Sequence, residues 1–501
     1  MNAPVVLLAA WAALGLFGHD PWKPDEAYTF GLVYHILESG DWLVPTLAGE
    51  PFVEKPPLFF WTAALLAKLC GGTLALHDAA RLASAFYVSL TLYFTYAAAK
   101  AIRCQAPISA PVLLAGCLGY LQHAHQLITD NALMAGIALG LYGLAASHPL
   151  LLGTGAGMAL LSKGLLGPGM LGLTAVALLL FREWRTRKYL RGWLWAFVAF
   201  LPWALIWPWL LYRHSPALFD EWFWVNNFGR FSGSAGLGGV LDHAHYAKAL
   251  VWFALPAWPL AAWAAWQRPR DAEMRLPLVA FVVMFVVLSA ASSARTLYGL
   301  PMLVPLAILG AMASAPAWLT KTLDVAGVWG SAALGLALWL GWIAFMLGWR
   351  PGMLEAQAPG FVPTLNVLGV LVAIAAAGLW CYALRLEAPA RWLAGVTLVW
   401  GLAMTLWLPW LDYAKSYRGV IAEMQRSRKE GCVASRNLTE PQRAMFHYFA
   451  GIAASARDCP MLLVHSGSAQ EPAVDRDSKL LWRGTRPGDA KEHFWLFELR
   501  P

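Results

Sequence analysis

Charge is what this sequence has least of. Only 13% of its 501 residues are Asp, Glu, Lys or Arg, against about 25% in a soluble domain, too few to coat a water-facing surface. That scarcity excludes an ordinary soluble enzyme. The chain also lacks a Gly-rich phosphate loop, zinc-finger spacing and a recognition helix, so its net charge of +8 does not point to nucleic acid. No internal repeat is evident, and no basic segment precedes the apolar run from Ala3 to Phe17. That run reads as an uncleaved signal anchor.

What is abundant is apolar sequence, 59% of the residues. Long runs such as Leu165 to Phe181, Leu194 to Leu211 and Leu276 to Ala291 read as transmembrane helices. Between them stand short basic clusters, at Lys100 to Arg103, Arg182 to Arg191, Arg268 to Arg275, Lys321 and Arg385 to Arg391. The positive-inside rule makes these the cytoplasmic loops. Residues 1–411 then thread as an all-α polytopic unit of about thirteen helices, with Asn131 to Ser147 and Leu150 to Leu161 as a tight hairpin. Three regions fall outside: Gly18 to about Asp78, Tyr212 to His245, and everything after Trp410. In the first, the stretch Leu58 to Leu69 reads as an interfacial helix along the membrane surface.

Residues 412–501 change character and predict a small soluble α/β domain. Helices are expected near Tyr417 to Lys429 and Pro441 to Ala454, and strands at Met461 to Val464, Lys479 to Trp482 and Phe494 to Leu499. Cys432 and Cys459 share this segment, and an extracytoplasmic compartment permits a disulfide between them. Cys70, Cys104, Cys117 and Cys381 lie in or beside apolar runs and read as packing residues.

The chemistry concentrates in Asp20-Pro21-Trp22-Lys23-Pro24-Asp25-Glu26-Ala27-Tyr28. Carboxylates this close to an apolar slab are expensive, and they tend to face water-filled cavities. Asp25 and Glu26 are candidate catalytic residues, with Tyr28 beside them; the plainer alternative is that the two acids cap the following helix. Lys55, in Glu54-Lys55-Pro56-Pro57, is held by a rigid Pro-Pro and suits a lipid phosphate or, more simply, a headgroup. Asp130 is a second acidic candidate on the same side; His123 and His125, two apart with no further ligands, make a weak metal signal. Lys163, Arg230 and Arg295 add cations to the outer face. Cations and carboxylates sharing one membrane face suit a phosphate leaving group and an acceptor to be activated.

The run from Trp22 to Trp61, with Asp25-Glu26 after Pro24, Glu38-Ser39-Gly40-Asp41-Trp42-Leu43-Val44-Pro45 and Glu54-Lys55-Pro56-Pro57-Leu58, resembles the first periplasmic loop of bacterial GT-C glycosyltransferases. The similarity is to the protein O-mannosyltransferase family and, within it, to the lipid A aminoarabinose transferases. Asp130, Ser162-Lys163-Gly164, Asn227-Phe228-Gly229-Arg230-Phe231 and Arg295 to Leu306 with Tyr298 extend it over nearly the whole chain.

The resemblance implies transfer of a sugar, with inversion, from a polyprenyl (undecaprenyl) phosphate donor to a periplasmic acceptor: lipid A, a glycan or a protein. It implies a bacterial inner-membrane protein whose active site and C-terminal domain are periplasmic. Asp25 and Asp130 would be the two principal carboxylates; Lys55, Arg230 and Lys163 would neutralise the lipid phosphate. Glu54 matches a position that joins a divalent metal site in the aminoarabinose enzymes, and no other cofactor is implied. Two positions depart from the pattern: Ala27-Tyr28 stands where Arg usually follows Asp-Glu, and Val225 precedes Asn226-Asn227 where a His is usual. The rivals from other classes are a transporter or flippase for lipid-linked sugars, which predicts broken helices with charges near the midplane, and a structural subunit, which leaves the first-loop motif without a role.

Overall fold

The structure, a computed structural model, describes residues 3–234, 242–292, 294–454, 456, 458–474 and 477–499. Ser293 and part of the expected outer region Tyr212 to His245 lie outside the described residues. Helices build the chain up to Ser427, with one short hairpin at Thr46–Leu47 and Glu50–Pro51, and a four-stranded sheet follows.

Among the described residues, four helices are each long and apolar enough to cross a membrane: Leu76–Ala101, Arg187–His214, Ala272–Ala290 and Ala317–Met346. Two more candidate spans are bent pairs, His245–Phe253 with Ala257–Gln267 at 106° and Ala388–Ala403 with Leu408–Lys415 at 63°. Shorter apolar helices, among them Ala3–Ala13, Leu58–Cys70, Asp130–Ala145 and Val367–Ala383, complete the bundle. Asp130–Ala145 and Pro149–Lys163 form the expected tight hairpin. Leu194, Trp195, Phe197, Val198, Leu205 and Ile206 leave an apolar surface exposed on Arg187–His214, as hydrocarbon contact requires.

Two breaks in the bundle answer each other. The run Ile108 to Gln122, expected as one helix, is Ser109–Gly116 and Leu118–Ala124 around an extended Cys117. Pro256, which cannot donate a helical hydrogen bond, separates the halves of the 106° pair. The Leu118 amide donates to the Leu255 carbonyl at 3.1 Å, and Trp392 Nε1 donates to the Gly116 carbonyl at 3.0 Å. Bare backbone groups are costly in a membrane, so each break is tolerated because a neighbouring element supplies the partner.

In the C-terminal sheet, Val433–Arg436 runs parallel to Met461–Ser466; His493–Leu499 then pairs antiparallel with Met461–Ser466 and with Ser478–Thr485. The first of these strands escapes the sequence because Val-Ala-Ser-Arg is short and half polar. Helices Arg418–Ser427 and Glu440–Ala450 pack on the sheet, and a disulfide joins Cys432 to Cys459. The expected boundary at residue 412 falls inside the helix Leu408–Lys415.

Nor does the packing stop there. Val420, Met424, Ala444, Phe446, Leu463 and Phe494 share one buried core with Phe30, Leu32 and Phe59 of the first loop. Helix Glu440–Ala450 approaches Asp25–Ser39 so closely that a Cβ on Gly31 would sit 2.6 Å from Ala444 Cβ. The segment before Asp25 is held by the C-terminal part. The Asp20 amide and Trp22 Nε1 both donate to Asp412 Oδ1 at 2.9 Å, Arg418 Nε donates to Asp20 Oδ2 at 2.9 Å, and Lys23 meets Glu492 at 3.0 Å.

Candidate active site

Asp25 opens the helix Asp25–Ser39, where the positive end of the helix dipole favours an acid. One turn on, Tyr28 donates its hydroxyl to Asp25 Oδ1 at 2.9 Å. Lys55 is brought up by the loop that Pro56 and Pro57 stiffen ahead of the helix Leu58–Cys70. Its ammonium donates to the Tyr28 hydroxyl and lies 3.7 Å from Asp25 Oδ1. Glu54 Oε1 is 3.9 Å from Lys55 and 2.7 Å from Arg230. Arg230 follows Glu221–Gly229, nine residues wound in wide π-type turns, a geometry common at functional sites.

The helical hairpin supplies the second pair. Asp130 begins one helix and Lys163 ends the other, so the reversal places them together, and the Lys163 ammonium donates to Asp130 Oδ1. The same ammonium lies 4.3 Å from the centre of the Tyr298 ring, a cation–π distance. Gly164 then turns with φ +76°, and a Cβ there would lie 2.0 Å from Asn227 Oδ1. Because Gly164 has none, Asn227 accepts a hydrogen bond from the Leu165 amide at 2.8 Å. The Ser-Lys-Gly and Asn-Phe-Gly-Arg segments, about sixty residues apart (62 between the bonded pair), are thereby locked together.

A cavity of about 290 Å³ opens over both pairs. Lys55, Lys163 and Arg230 line one part of it, with Glu54 and Tyr298; Leu165, Leu173, Phe231, Val287 and Leu288 line the rest. Asp25 and Asp130 stand behind the lysines and fix them. Burial pushes the Lys55 ammonium down to about 8, with Lys163 and Arg230 acting in the same sense and Asp25 and Asp130 opposing. A phosphate in the cavity would restore the balance for that cation.

Two expected residues are placed elsewhere. Glu26 turns away from the cavity into the interior: its Oε1 accepts from Arg81 Nε at 2.7 Å and from the Leu127 amide at 3.2 Å, and its Oε2 from the Trp22 amide at 3.1 Å. Burial alone would raise this carboxyl, but the Arg81 guanidinium holds it below the usual carboxylate range. Adjacent helical residues point about 100° apart, so one acid of the pair faces the site and the other the core. Arg295 is exposed and is not among the residues lining the cavity.

For a metal at Glu54 the donors do not fit. The carboxylate is engaged by Arg230 and Lys55, Val225 replaces the usual His, and among the described residues no group of three His, Cys, Asp or Glu is arranged to hold an ion. His125 is spent on the Trp11 carbonyl at 2.7 Å.

The structure also brings in residues that spacing did not single out. Asn227 works through its side-chain bond to Leu165, and Glu440 enters from the C-terminal domain. Burial and then the Glu54 carboxylate push Glu440 up, which marks how near that domain comes to the site. The only warning in the sequence was Thr439-Glu440-Pro441-Gln442, a helix-start signature that becomes a capping box here.

No family model matches the chain. In sequence it is 29% identical over 325 residues to "Undecaprenyl phosphate-alpha-4-amino-4-deoxy-L-arabinose arabinosyl transferase 1" of Sodalis glossinidius, covering 59% of this chain and 55% of the relative. It is 28% identical over 442 residues to the arabinosyl transferase of Pseudomonas paraeruginosa, covering 79% of this chain and 74% of the relative. The chain thus spans little more than half the length of the first of these curated relatives, 55%. In structure it matches ArnT from Cupriavidus metallidurans bound to undecaprenyl phosphate, with a TM-score of 0.72, 18% identity, and coverage of 99% of this chain and 97% of that one. The chain is therefore similar in sequence to the aminoarabinose transferases and carries the GT-C fold that its first-loop motif implies.

Proposed function

We propose that this protein is an integral membrane glycosyltransferase that takes a sugar from an undecaprenyl phosphate donor and passes it, with inversion, to an acceptor at the outer face of a bacterial inner membrane. The observation that carries the reading is the two-part cavity. Its cationic part, Lys55, Lys163 and Arg230, suits a phosphate; its apolar wall suits a prenyl chain. A structural subunit has no use for such a cavity. A transporter would need its charges at the midplane between repeats, whereas these sit at helix ends and in loops.

In the displacement, the bond between the anomeric carbon and the phosphate oxygen breaks as the acceptor oxygen bonds the opposite face. The electron pair leaves with the phosphate, whose charge meets Lys55, Lys163 and Arg230. A hydroxyl acceptor must also lose a proton, and Asp25 receives it. An anionic acceptor such as a lipid A phosphate has no proton to lose, and Asp25 then orients Lys55. Aminoarabinose transfer to lipid A is the reading that the names of the relatives favour. The departures at Tyr28 and Val225 favour a second, transfer to a glycan or protein hydroxyl within the same superfamily.

Mass spectrometry of lipid A and of envelope glycans and proteins, with and without the protein, tests both. Loss of one pentosamine from lipid A supports the first, and loss of a sugar from a glycan or protein supports the second. Identical profiles in every fraction, with the donor present, would overturn the transferase reading.

A further inference from the structure

A second cavity, of about 450 Å³, lies at the far end of two helices, one of which reaches the candidate active site. Pro149–Lys163 starts at this cavity and ends on Lys163. Arg187–His214 starts beside it, and its 28 residues rise about 42 Å toward the π-type turns that precede Arg230.

The lining is mixed in the manner of a lipid headgroup pocket. His148, Lys188 and Arg191 bring polarity, and Leu152, Trp184 and Trp193 bring apolar and aromatic surface. Glu183, the one acid in the lining, is ion-paired with Arg275, so it does not neutralise the lysine and arginine. Lys188 and Arg191 make no ion pair among the described residues and lie three apart on one helix, hence on one face. The wall is fixed: Thr186 caps the helix through the Tyr189 amide at 3.1 Å, and the Tyr189 hydroxyl donates to the Ala175 carbonyl at 2.8 Å. Directly beyond it, Leu194, Trp195, Phe197 and Val198 are exposed along the same helix. Two unneutralised cations thus stand at the edge between a polar loop and a lipid-facing apolar surface. A basic cluster that only set topology would need no cavity; here Ser147, His148 and Pro149 of the hairpin turn form one wall of a half-open one.

We propose that this cavity binds the phosphate headgroup of an anionic phospholipid, with Lys188 and Arg191 on the phosphate and the acyl chains along the Leu194–Val198 face. Basic pockets between membrane helices on the cytoplasmic side take such headgroups, and lipid there would hold the two helices in register with the membrane.

The test is native mass spectrometry of the full-length protein in detergent, titrated with phosphatidylglycerol or phosphatidylcholine. Phosphatidylglycerol is expected to bind at least about tenfold more tightly. Lys188→Gln with Arg191→Gln should weaken it about thirtyfold, at about fivefold per lost charge, with the melting temperature in detergent recorded on the same samples. Lys188→Arg with Arg191→Lys should keep the binding. Inorganic phosphate at tens of millimolar should fail to displace the lipid. Equal binding of the two lipids, unchanged binding by the double Gln variant, loss in the charge-conserving variant, or displacement by inorganic phosphate alone would each overturn the proposal.

Discussion

Arg81 and Glu26 form an ion pair inside the protein, Nε to Oε1 at 2.7 Å, one residue along the chain from the acid that holds Lys55. Arg81 also donates to Asp78 at 2.6 Å and to the carbonyls of His19 at 2.8 Å and Asp20 at 3.0 Å. The pair therefore nails the segment that precedes Asp25 to the long helix Leu76–Ala101.

Neighbouring carboxylates should fail in different ways. Glu26→Gln removes one of the two carboxylates paired with the buried Arg81 guanidinium and leaves Asp78 as its counter-charge, a loss of about 3 kcal/mol. It should appear as a lowered melting temperature and poor recovery from the membrane. Asp25→Asn takes one counter-charge from the buried Lys55, which keeps Glu54 at 3.9 Å, so the melting temperature should fall less than in Glu26→Gln. Transfer to a hydroxyl acceptor should fall by about 10²–10⁴. Thermal melting in detergent together with a transfer assay separates the two outcomes.

Transfer should lose rate on the alkaline side. Burial first, against the pull of Asp25, brings Lys55 down to about 8 from an ordinary value of about 10.4. Its ammonium is present below that pH and is lost above it, so kcat/KM should decline as pH rises through about 8. Lys55→Arg, whose charge persists, should move the decline upward even if the maximal rate drops. A pH–rate profile on both proteins checks it.

Gly164→Ala places a Cβ against Asn227 Oδ1 and forces φ +76° on a residue that resists it. Strain of about 1–3 kcal/mol is expected, together with loss of the Asn227–Leu165 hydrogen bond that ties Lys163 to Arg230. A drop in kcat/KM larger than the drop in melting temperature suggests would show that the register between those two cations matters to transfer.

Reduction of Cys432–Cys459, or replacement of both by Ser, reopens a loop with a sequence separation of 27. By loop entropy that costs about 3–4 kcal/mol. Limited proteolysis should then cut within residues 430–460 at protease levels that spare the oxidised protein.

The sequence made legible whatever depends on local pattern. Apolar runs announced the helices, Pro56-Pro57 announced a fixed Lys55, and the sidedness of the basic clusters put Asp25, Lys55, Asp130, Lys163, Arg230 and Arg295 on one face, of which Arg295 alone does not join the others around the cavity. It hid what depends on distant partners. Nothing near Glu26 points to Arg81, 55 residues on, so the two adjacent acids looked alike. Nothing near Cys117 announces the break that the Leu255 carbonyl stabilises. The role of Asn227 rests on a missing side chain at Gly164, and Glu440 reaches the site only because its helix packs against Asp25–Ser39.

The clasp on Asp20 has a temporal side. During synthesis, Asp20 leaves the ribosome 392 residues before Asp412 and 398 before Arg418. Until they emerge, the segment leading into Asp25 has the contacts of Arg81, on the helix Leu76–Ala101, to hold it. A product cut short before those residues would insert its helices yet leave that segment half moored, so the clasp closes only after the helices up to Ala403 have been made.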